Sequence, residues 1–168
     1  MCKTFWRRGL FLLAEGRSTI SEENKTIARK LIEECWNKGR VNVVDEVMSP
    51  RCRHHDAVFP TLGEGSENFK QHIEACRKGF PDLNFTVEDE IAERDEVVVH
   101  WRARGTHRDT FLGMPATNKK GDVSGTTILR VEKGKIVESW SDWNLLTLLE
   151  QLGLVRAMQA QQPAVARR

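Results

Sequence analysis

Three groups of residues in the sequence carry side chains that can transfer protons. Asp142 stands between Trp140 and Trp143, and apolar aromatic surroundings suit a carboxyl group that acts as a general acid or base near neutral pH. The alternative for Asp142 is a surface carboxylate that caps the final helix. The second group is the run His54-His55-Asp56, and the third is His107.

The adjacent histidines are informative because neighbouring residues of a strand face opposite sides of a sheet. If this segment is a strand, one of His54 and His55 faces inward. An inward histidine near Asp142 or His107 forms an acid/base pair, whereas the alternative is a buried, hydrogen-bonded histidine that orients a loop. No third and fourth ligands stand at recognisable spacing, so we predict no metal site.

Composition excludes several classes of protein. The chain has 168 residues, of which 39% are hydrophobic and 30% charged, which is typical of a single folded domain. With 26 Lys+Arg against 24 Asp+Glu, the net charge of +2 gives no general attraction to nucleic acid. No apolar run approaches the roughly 20 residues that cross a bilayer. We therefore predict neither a nucleic-acid nor a membrane partner.

The termini and the cysteines indicate a cytoplasmic protein. Lys3, Arg7 and Arg8 precede an apolar stretch that is too short for a secretion signal and is interrupted by Glu15 and Arg17. The four cysteines have no C-x-x-C spacing, and we expect reduced thiols; they are Cys2, Cys35, Cys52 and Cys76. We predict an N-terminal extension over residues 1–20, one domain over 21–154 and a flexible tail over 155–168.

The elements that must position these side chains follow from periodicity. Apolar residues at helical spacing predict helices from Glu22 to Lys38, capped by Ser21, from Val43 to Met48, and from Ser66 to Gly79, capped by Ser66. A final helix is predicted from Leu145 to Leu152, ended by Gly153. Alternation predicts strands, which are Arg51–Val58, residues 83–91, Val97–Thr106, Val123–Val131 and Lys135–Trp143.

This order of elements predicts an α+β fold. Short connections between strands favour antiparallel pairing, and the N-terminal helices are available to cover one face of the sheet. A twisted sheet that curls around these helices encloses an apolar pocket.

Alternation also selects the side chains that face this pocket. On the strand Val97–Thr106 the apolar set is Val97, Val99, Trp101 and Ala103, with His107 at the rim of the same face. By the same count Thr127 faces inward with Leu129. Asp89 shares a face with Phe85, Val87 and Ile91, where its position near a strand end accounts for a carboxylate on an apolar face. The last strand sorts less cleanly, because Ile136, Trp140 and Asp142 share one face and Val137, Ser139, Ser141 and Trp143 share the other.

Several motifs together resemble a known family. They are His55-Asp56, Phe80-Pro81-Asp82-Leu83, Asp95–Val99 with Trp101, Gly105-Thr106-His107, Phe111-Leu112-Gly113-Met114-Pro115, Gly134–Trp140 and Gln151-Leu152-Gly153. Over about residues 22–154 the chain resembles the SnoaL-like polyketide cyclase and ester cyclase family, within the nuclear-transport-factor-2-like superfamily. The resemblance implies a cone-shaped α+β barrel, a small hydrophobic ligand, acid/base chemistry without a cofactor, and a homodimer.

The chain departs from the family pattern at three positions of the candidate site. Thr127 stands where polyketide cyclases carry a pocket histidine, and their catalytic aspartate falls near Ser141 or Asp142. Asn144 stands where the wider family carries an aspartate. A fold this widely reused does not fix the reaction by itself.

The resulting functional hypothesis is an enzyme that transfers a proton on a small hydrophobic molecule, by isomerisation, ring closure, dehydration or epoxide opening. Asp142 would be the acid or base, with His107 and His55 as partners. Substrate-binding residues would be Trp101, Thr127, Trp140, Trp143 and Asn144. One alternative is a binding module without catalysis. Another is an interaction protein that dimerises through the convex face, where His100, Arg102 and Arg104 project.

Overall fold

A computed structural model of the chain describes residues 20–155. Residues 1–19 and 156–168, which hold nearly all of the predicted extension and tail, lie outside the described residues. Within the described part the first helix, α1, spans residues 20–30 and continues as a π-helical segment, Leu31–Asn37. The other elements, in chain order, are a 3₁₀ turn at Val41–Val43, α2 (Val44–Val47), β1 (Met48–Asp56), α3 (Ser66–Gly79), β2 (Asn84–Glu93), β3 (Glu96–Thr106), β4 (Lys120–Glu132), β5 (Lys135–Trp143) and α4 (Leu145–Leu152).

The ends of the helices agree with the sequence in one case and differ in two. Asn144 caps α4 by accepting a 2.9 Å hydrogen bond from the Thr147 amide, and Gly153 ends it in the left-handed conformation at φ 71°. The predicted cap Ser21 lies inside α1, which has already begun at residue 20. At α3 the cap position is Gly65, whose φ of 109° favours glycine, and Ser66 is the first helical residue.

The five strands form one sheet in the order β1-β5-β4-β3-β2. The three pairs among β2, β3, β4 and β5 are antiparallel, as the short connections predict. β1 instead runs parallel to β5. The reason is that β1 and β5 are joined through α3 and three strands, so no hairpin constrains their direction.

Two irregularities in the sheet decide which side chains face inward. In β2 the register shifts between Val87 and Asp89, so Glu90 pairs with Val99 and the exposed Ile91 pairs with Val98. The alternation that groups Ile91 with Phe85 and Val87 is therefore wrong beyond Val87, and Ile91 is 63% exposed. Asp89 lies on the outer face.

The second irregularity resolves the ambiguous last strand. Val131 pairs with Ile136 whereas Arg130 pairs with Glu138, which leaves Val137 as an unpaired bulge residue. The bulge brings Ile136 onto the same face as Ser139, Ser141 and Trp143. Glu138, Trp140 and Asp142 consequently share the outer face.

The inner face of the sheet packs against α1 and α3, and this contact forms the core. Its members include Leu31, Ile32 and Ile73 from the helices and Val99, Leu129 and Ile136 from the strands, all buried. In the part of the chain from residue 20 to 155, no helix has the length and apolar character to cross a bilayer.

Candidate active site

A cavity of about 140 Å³ lies between the inner face of the sheet, the π-helical segment Leu31–Asn37 and α3. Its volume is well above the roughly 10–15 Å³ that admits one water molecule. The wall is rich in aromatic side chains, which include Trp36, Phe59, Phe69, Phe85, Trp101 and Trp143. Such a wall suits a small hydrophobic ligand, and its few polar groups decide what that ligand can do.

Three of these polar groups form a row across neighbouring strands. Asp56 of β1 is paired with Ser141 of β5, and Ser141 is paired with Thr127 of β4. All three line the cavity. Because paired residues of adjacent strands project to the same side, the row presents a carboxylate and two hydroxyls to one ligand.

Asp56 is the carboxylate of this row, and its geometry leaves one oxygen available. Oδ1 accepts hydrogen bonds from the backbone amides of Val58, at 2.7 Å, and Phe59, at 3.1 Å. This turn fixes the side chain at the end of β1. Among residues 20–155 no hydrogen bond is formed to Oδ2, so this oxygen can accept one from a ligand.

The two hydroxyls of the row belong to a short hydrogen-bonded chain. Trp101 Nε1 donates to Thr127 Oγ1 at 3.0 Å, and Thr127 Oγ1 lies 3.1 Å from Ser141 Oγ. Gly125 makes room for the indole, because a Cβ at this position would collide with Trp101 and with Trp143 Cβ. The chain of three polar groups is thus built into the wall by close packing.

His54 is the inward member of the histidine pair, and its ring is fully engaged. Gly65 O can only accept, so His54 Nε2 donates to it, at 3.3 Å. His54 Nδ1 then accepts from Ser139 Oγ at 2.9 Å. Burial lowers the pKa of His54 to about 4, which keeps the ring neutral at pH 7. The histidine that orients a loop, one of the two alternatives above, is the one this geometry supports.

His72 of α3 is a cavity residue that the sequence analysis missed. Its ring lies against Phe59 at a centroid distance of 4.3 Å and against Trp36 at 5.6 Å. Burial lowers the pKa of His72 to about 4, and its two ring nitrogens lie 3.8–3.9 Å from Cys76 Sγ. Helical spacing could have found it, because His72 stands three residues after Phe69 and four before Cys76, both inward.

The Cys76 thiol beside His72 is not activated. Burial, with a smaller contribution from the negative charge of Asp56, raises the pKa of Cys76 to about 12. The thiol therefore stays protonated at neutral pH, and it is unsuited to nucleophilic catalysis. Within residues 20–155 there is also no cluster of three or more His, Cys, Asp or Glu side chains arranged to hold a metal ion.

Comparison with known proteins places the chain in a family. The model of SnoaL-like polyketide cyclases matches residues 26–152. The chain belongs to the SnoaL-like polyketide cyclase family. No curated protein matches the chain.

Solved structures of similar proteins agree with this assignment and confirm the predicted α+β fold. TsrD from Streptomyces laurentii is 25% identical with a TM-score of 0.73, over 80% of this chain and 97% of TsrD. AclR from Streptomyces galilaeus is 27% identical with a TM-score of 0.70, over 80% of this chain and 98% of AclR. IdmH from Streptomyces antibioticus is 29% identical with a TM-score of 0.67, over 77% of this chain and 98% of IdmH.

Of the residues predicted to bind substrate in this SnoaL-like chain, three line the cavity and two do not. Trp101, Thr127 and Trp143 are in its wall. Trp140 lies on the outer face, between the His55 ring at 5.3 Å and the Arg130 guanidinium at 5.0 Å. Asn144 is exposed and caps α4, where its Oδ1 accepts a hydrogen bond from the Thr147 amide.

The three predicted catalytic residues are not brought together. Asp142 is exposed on the outer face, one residue beyond the inward Ser141. The His55 side chain is 48% exposed, and its Nε2 lies 2.9 Å from Glu138 Oε1 on the outer face, although part of the residue borders the cavity. The expected Asp142–histidine pair in the pocket is therefore absent from the described residues. The physical reason is the bulge at Val137, which sets the inward face of β5.

His107 is completely buried but lies beside the cavity wall rather than in it. Its Nδ1 is 3.2 Å from Thr117 Oγ1, and its ring stacks on Phe80 at 5.2 Å. The His107 amide donates to Lys119 O, and Asn118 N donates to His107 O. His107 Nε2 has no partner among residues 20–155. These contacts make His107 the anchor of the loop between β3 and β4.

Proposed function

We propose that this chain is a cofactor-independent enzyme that transfers a proton on a small hydrophobic molecule held in the cavity. The observation that carries this proposal is the Asp56 carboxylate, which lies in a largely apolar wall with one oxygen fixed by two backbone amides and the other without a hydrogen bond among residues 20–155. A fixed base close to a bound substrate contributes roughly 10²–10⁴-fold to the rate. The SnoaL-like family supports the same class of chemistry.

The chemistry requires only groups of the chain and the substrate. Asp56 Oδ2 takes a proton from the substrate and returns it at another atom, so no oxidant or reductant is consumed. Return to a second carbon is an isomerisation. Attack of the resulting carbanion on a carbonyl carbon of the same molecule closes a ring; the C=O π bond breaks, and its oxygen takes the proton back from Asp56. A hydrophobic ligand that fills the cavity displaces water from this wall, which strengthens the interaction of Asp56 with developing charge.

This assignment moves the role of base from Asp142 to Asp56. Asp142 lies on the outer face, and His55 is held there by Glu138. His107 is proposed to act through the loop that it anchors rather than on the substrate. The predicted catalytic roles of Asp142, His55 and His107 stay predictions, and Asp142 provides the matched control below.

The test uses deuterium exchange into 2-tetralone, a small hydrophobic ketone with an acidic C–H, followed by NMR in D₂O. We expect the wild-type protein to accelerate exchange and Asp56→Asn to lose roughly 10²–10⁴-fold of that acceleration. Asp142→Asn should retain it, because the outer carboxylate does not reach the cavity. Unchanged exchange in Asp56→Asn, or an equal loss in Asp142→Asn, would contradict the assignment.

A second candidate function is a binding module without catalysis. It is favoured by Thr127 and Ser141, because the family resemblance places a histidine and an aspartate at or near these positions. It predicts that hydrophobic ketones, esters and epoxides raise the Tm of wild type and of Asp56→Asn equally, with no turnover of any of them. Turnover of one such compound that depends on Asp56 excludes this candidate.

The resemblance also leads us to propose a homodimer in the cytoplasm. His100, Arg102 and Arg104 face outward on β3, and the two arginines pair with Asp122 at 2.5 and 3.0 Å. Sedimentation at low and high salt tests whether this face contributes to self-association. A monomer at both salt concentrations contradicts the dimer.

A further inference from the structure

The hydrogen bonds among Trp101, Thr127 and Ser141 leave one hydrogen unused. The indole Nε1–H is a donor only, so Thr127 Oγ1 accepts from it. The two hydroxyls then share one hydrogen bond at 3.1 Å. Three hydrogens enter two bonds, and one hydroxyl hydrogen remains without an acceptor among residues 20–155.

The remaining hydrogen belongs to Ser141 when the hydrogen bonds run in one direction, from Trp101 to Thr127 to Ser141. A hydroxyl that accepts a hydrogen bond becomes a stronger donor. Thr127 accepts from Trp101, so the favoured arrangement has Thr127 donating to Ser141. Ser141 lines the cavity, and its own O–H is then free to meet a ligand.

We propose that the Ser141 hydroxyl is a neutral donor for the carbonyl oxygen of an uncharged ligand, with Thr127 and Trp101 as positioning residues behind it. This inference rests on the proposed function, because it names the substrate class of the same cavity. Ser141 and Asp56 are paired neighbours on β5 and β1, so one ligand can meet both.

The arrangement gives each group a part in one balanced step. Asp56 Oδ2 removes a proton from the carbon next to the carbonyl, and the electron pair of the broken C–H bond moves to the carbonyl oxygen. The resulting enolate oxygen is stabilised by the Ser141 O–H, which becomes more favourable as the charge develops. Asp56 then returns the proton to a carbon of the enolate system, which regenerates the carboxylate.

The charges around the cavity select against anionic ligands. Asp56 places a carboxylate in the wall. The one arginine that borders the cavity among the described residues, Arg104, is paired with Asp122 through Nε at 3.0 Å. Burial lowers the pKa values of His54 and His72 to about 4, so neither supplies a positive charge at pH 7. A carboxylate ligand would find no unpaired cation in this wall.

The experiment compares three probes of one shape, which are 2-acetylnaphthalene, 2-ethylnaphthalene and 2-naphthoate. Binding to the full chain is measured by calorimetry, and the carbonyl stretch of the bound ketone is measured by infrared difference spectroscopy. Wild type should bind the ketone about tenfold more tightly than the hydrocarbon, the effect of one hydrogen bond. The carbonyl stretch should shift to lower frequency, and naphthoate should bind most weakly.

The variants assign the effect to individual side chains. Ser141→Ala should remove both the preference for the ketone and the shift, and Thr127→Val should reduce both because it breaks the polarising chain. Ser124→Ala, on the outer face of β4, should change neither. Retained binding of 2-ethylnaphthalene and an unchanged Tm show that each variant is folded.

Three results would overturn the proposal. They are equal affinity of wild type for ketone and hydrocarbon, an unshifted carbonyl stretch, and failure of the ketone to bind up to its solubility. An effect of Ser141→Ala no larger than that of Ser124→Ala also rejects it. Because this test needs no turnover, Asp56→Asn should keep the preference for the ketone. The test can therefore reject Ser141 as the donor without rejecting Asp56 as the base, and the exchange assay can do the reverse.

Discussion

Both faces of the strands β1, β4 and β5 carry polar residues. The two faces differ in how many hydrogen bonds and ion pairs these residues make. On the inner face, Asp56, Ser141 and Thr127 border an apolar cavity and are joined by few hydrogen bonds. On the outer face, Glu138 is 7% exposed and accepts from Arg53, His55 and Arg130 at 2.7–2.9 Å. Asp56 and Ser141 keep unused hydrogen-bonding capacity, whereas Glu138 is hydrogen-bonded or ion-paired to three side chains.

This contrast is the basis for the proposed choice of site residues. His55 and Asp142 are the residue types expected of a catalytic pair, yet the first is held by Glu138 and the second is exposed. Ser141 and Asp56 each stand one residue away and face the cavity. Unused hydrogen-bonding capacity that borders the cavity, as at Asp56 and Ser141, guides the proposed assignment more than residue type does.

The largest expected effect tests the bulge at Val137, which decides which side chains of β5 face inward. Ile136 is fully buried, whereas its neighbour Val137 is the half-buried bulge residue. Ile136→Ala should lower the free energy of unfolding by about 2–5 kcal/mol, and Val137→Ala by less than about 1 kcal/mol. Urea denaturation measures both. Equal losses would show that the bulge does not set the inward face of β5.

The second prediction concerns the neutral histidines of the inner face. Burial lowers the pKa values of His54 and His72 to about 4, from 6.5. Between these values the unfolded chain binds protons that the folded chain does not, so the free energy of unfolding falls as pH falls. Each ring accounts for roughly 2–3 kcal/mol by pH 4.

Urea denaturation from pH 7 to pH 4.5 checks this dependence. His72→Phe should flatten the curve, because the substituted ring has no proton to bind. The free energy of unfolding of wild type should therefore fall relative to that of His72→Phe as the pH falls. A wild-type stability that does not change across this range would show that the two rings are not desolvated.

The third prediction tests the close packing around Trp101, the first donor in the hydrogen-bonded series Trp101–Thr127–Ser141. A Cβ at Gly125 would collide with the Trp101 ring and with Trp143 Cβ. Gly125→Ala should therefore displace Trp101 and cost about 1–3 kcal/mol in the free energy of unfolding. Ser124→Ala on the outer face should stay within about 0.5 kcal/mol. Tryptophan fluorescence and thermal unfolding are measured for both variants. Equal fluorescence and equal Tm in Gly125→Ala and Ser124→Ala would contradict the close packing of Gly125 against Trp101.

The smallest expected effect concerns the outer cluster. The hydrogen bond from His55 and the charges of Arg53 and Arg130 hold the pKa of Glu138 below 4.5. The stabilisation by Glu138 is complete above pH 4.5 and is lost as pH falls through the lower pKa of the folded state. Glu138→Gln should therefore lower the Tm by a few degrees at pH 7 and by less near pH 3.

The control for this variant is Glu132→Gln, at the exposed end of β4. It should leave the Tm nearly unchanged at both pH values, because the side chain has no ion pair among the described residues. A deficit of Glu138→Gln that grows toward pH 3 would reverse the expected sign and contradict the ion pairs of the outer cluster.

Much of the fold could be predicted because it depends on local chemistry. The span of β5, its turn at Lys133-Gly134 and the helix α4 with its Gly153 terminus agree with periodicity and turn residues. The inward set of β3 was also predictable, since that strand pairs regularly along its length. The assignments of Trp101 and Thr127 to the cavity wall follow from this regularity.

The candidate site was less predictable because it combines distant segments. Asp56 and Ser141 are neighbours only through the parallel pairing of β1 with β5. No hairpin connects these two strands, so the sequence gives no local signal for this pairing. His72 reaches the cavity from α3, and its neighbours come from α1 and the β1–α3 loop. Such contacts depend on packing between elements rather than on spacing within them.

The sequence by itself determined the α+β class, the order of the elements and the side chains that alternate on an unbroken strand. Local propensities and turn residues suffice for these features, because each depends on only a few neighbouring residues. The tertiary structure decided the bulges at Val137 and in β2, and with them the face on which Asp142, Ser141 and Ile91 lie. A bulge adds one residue to one strand only, so its position depends on the partner strand and reverses the alternation beyond it.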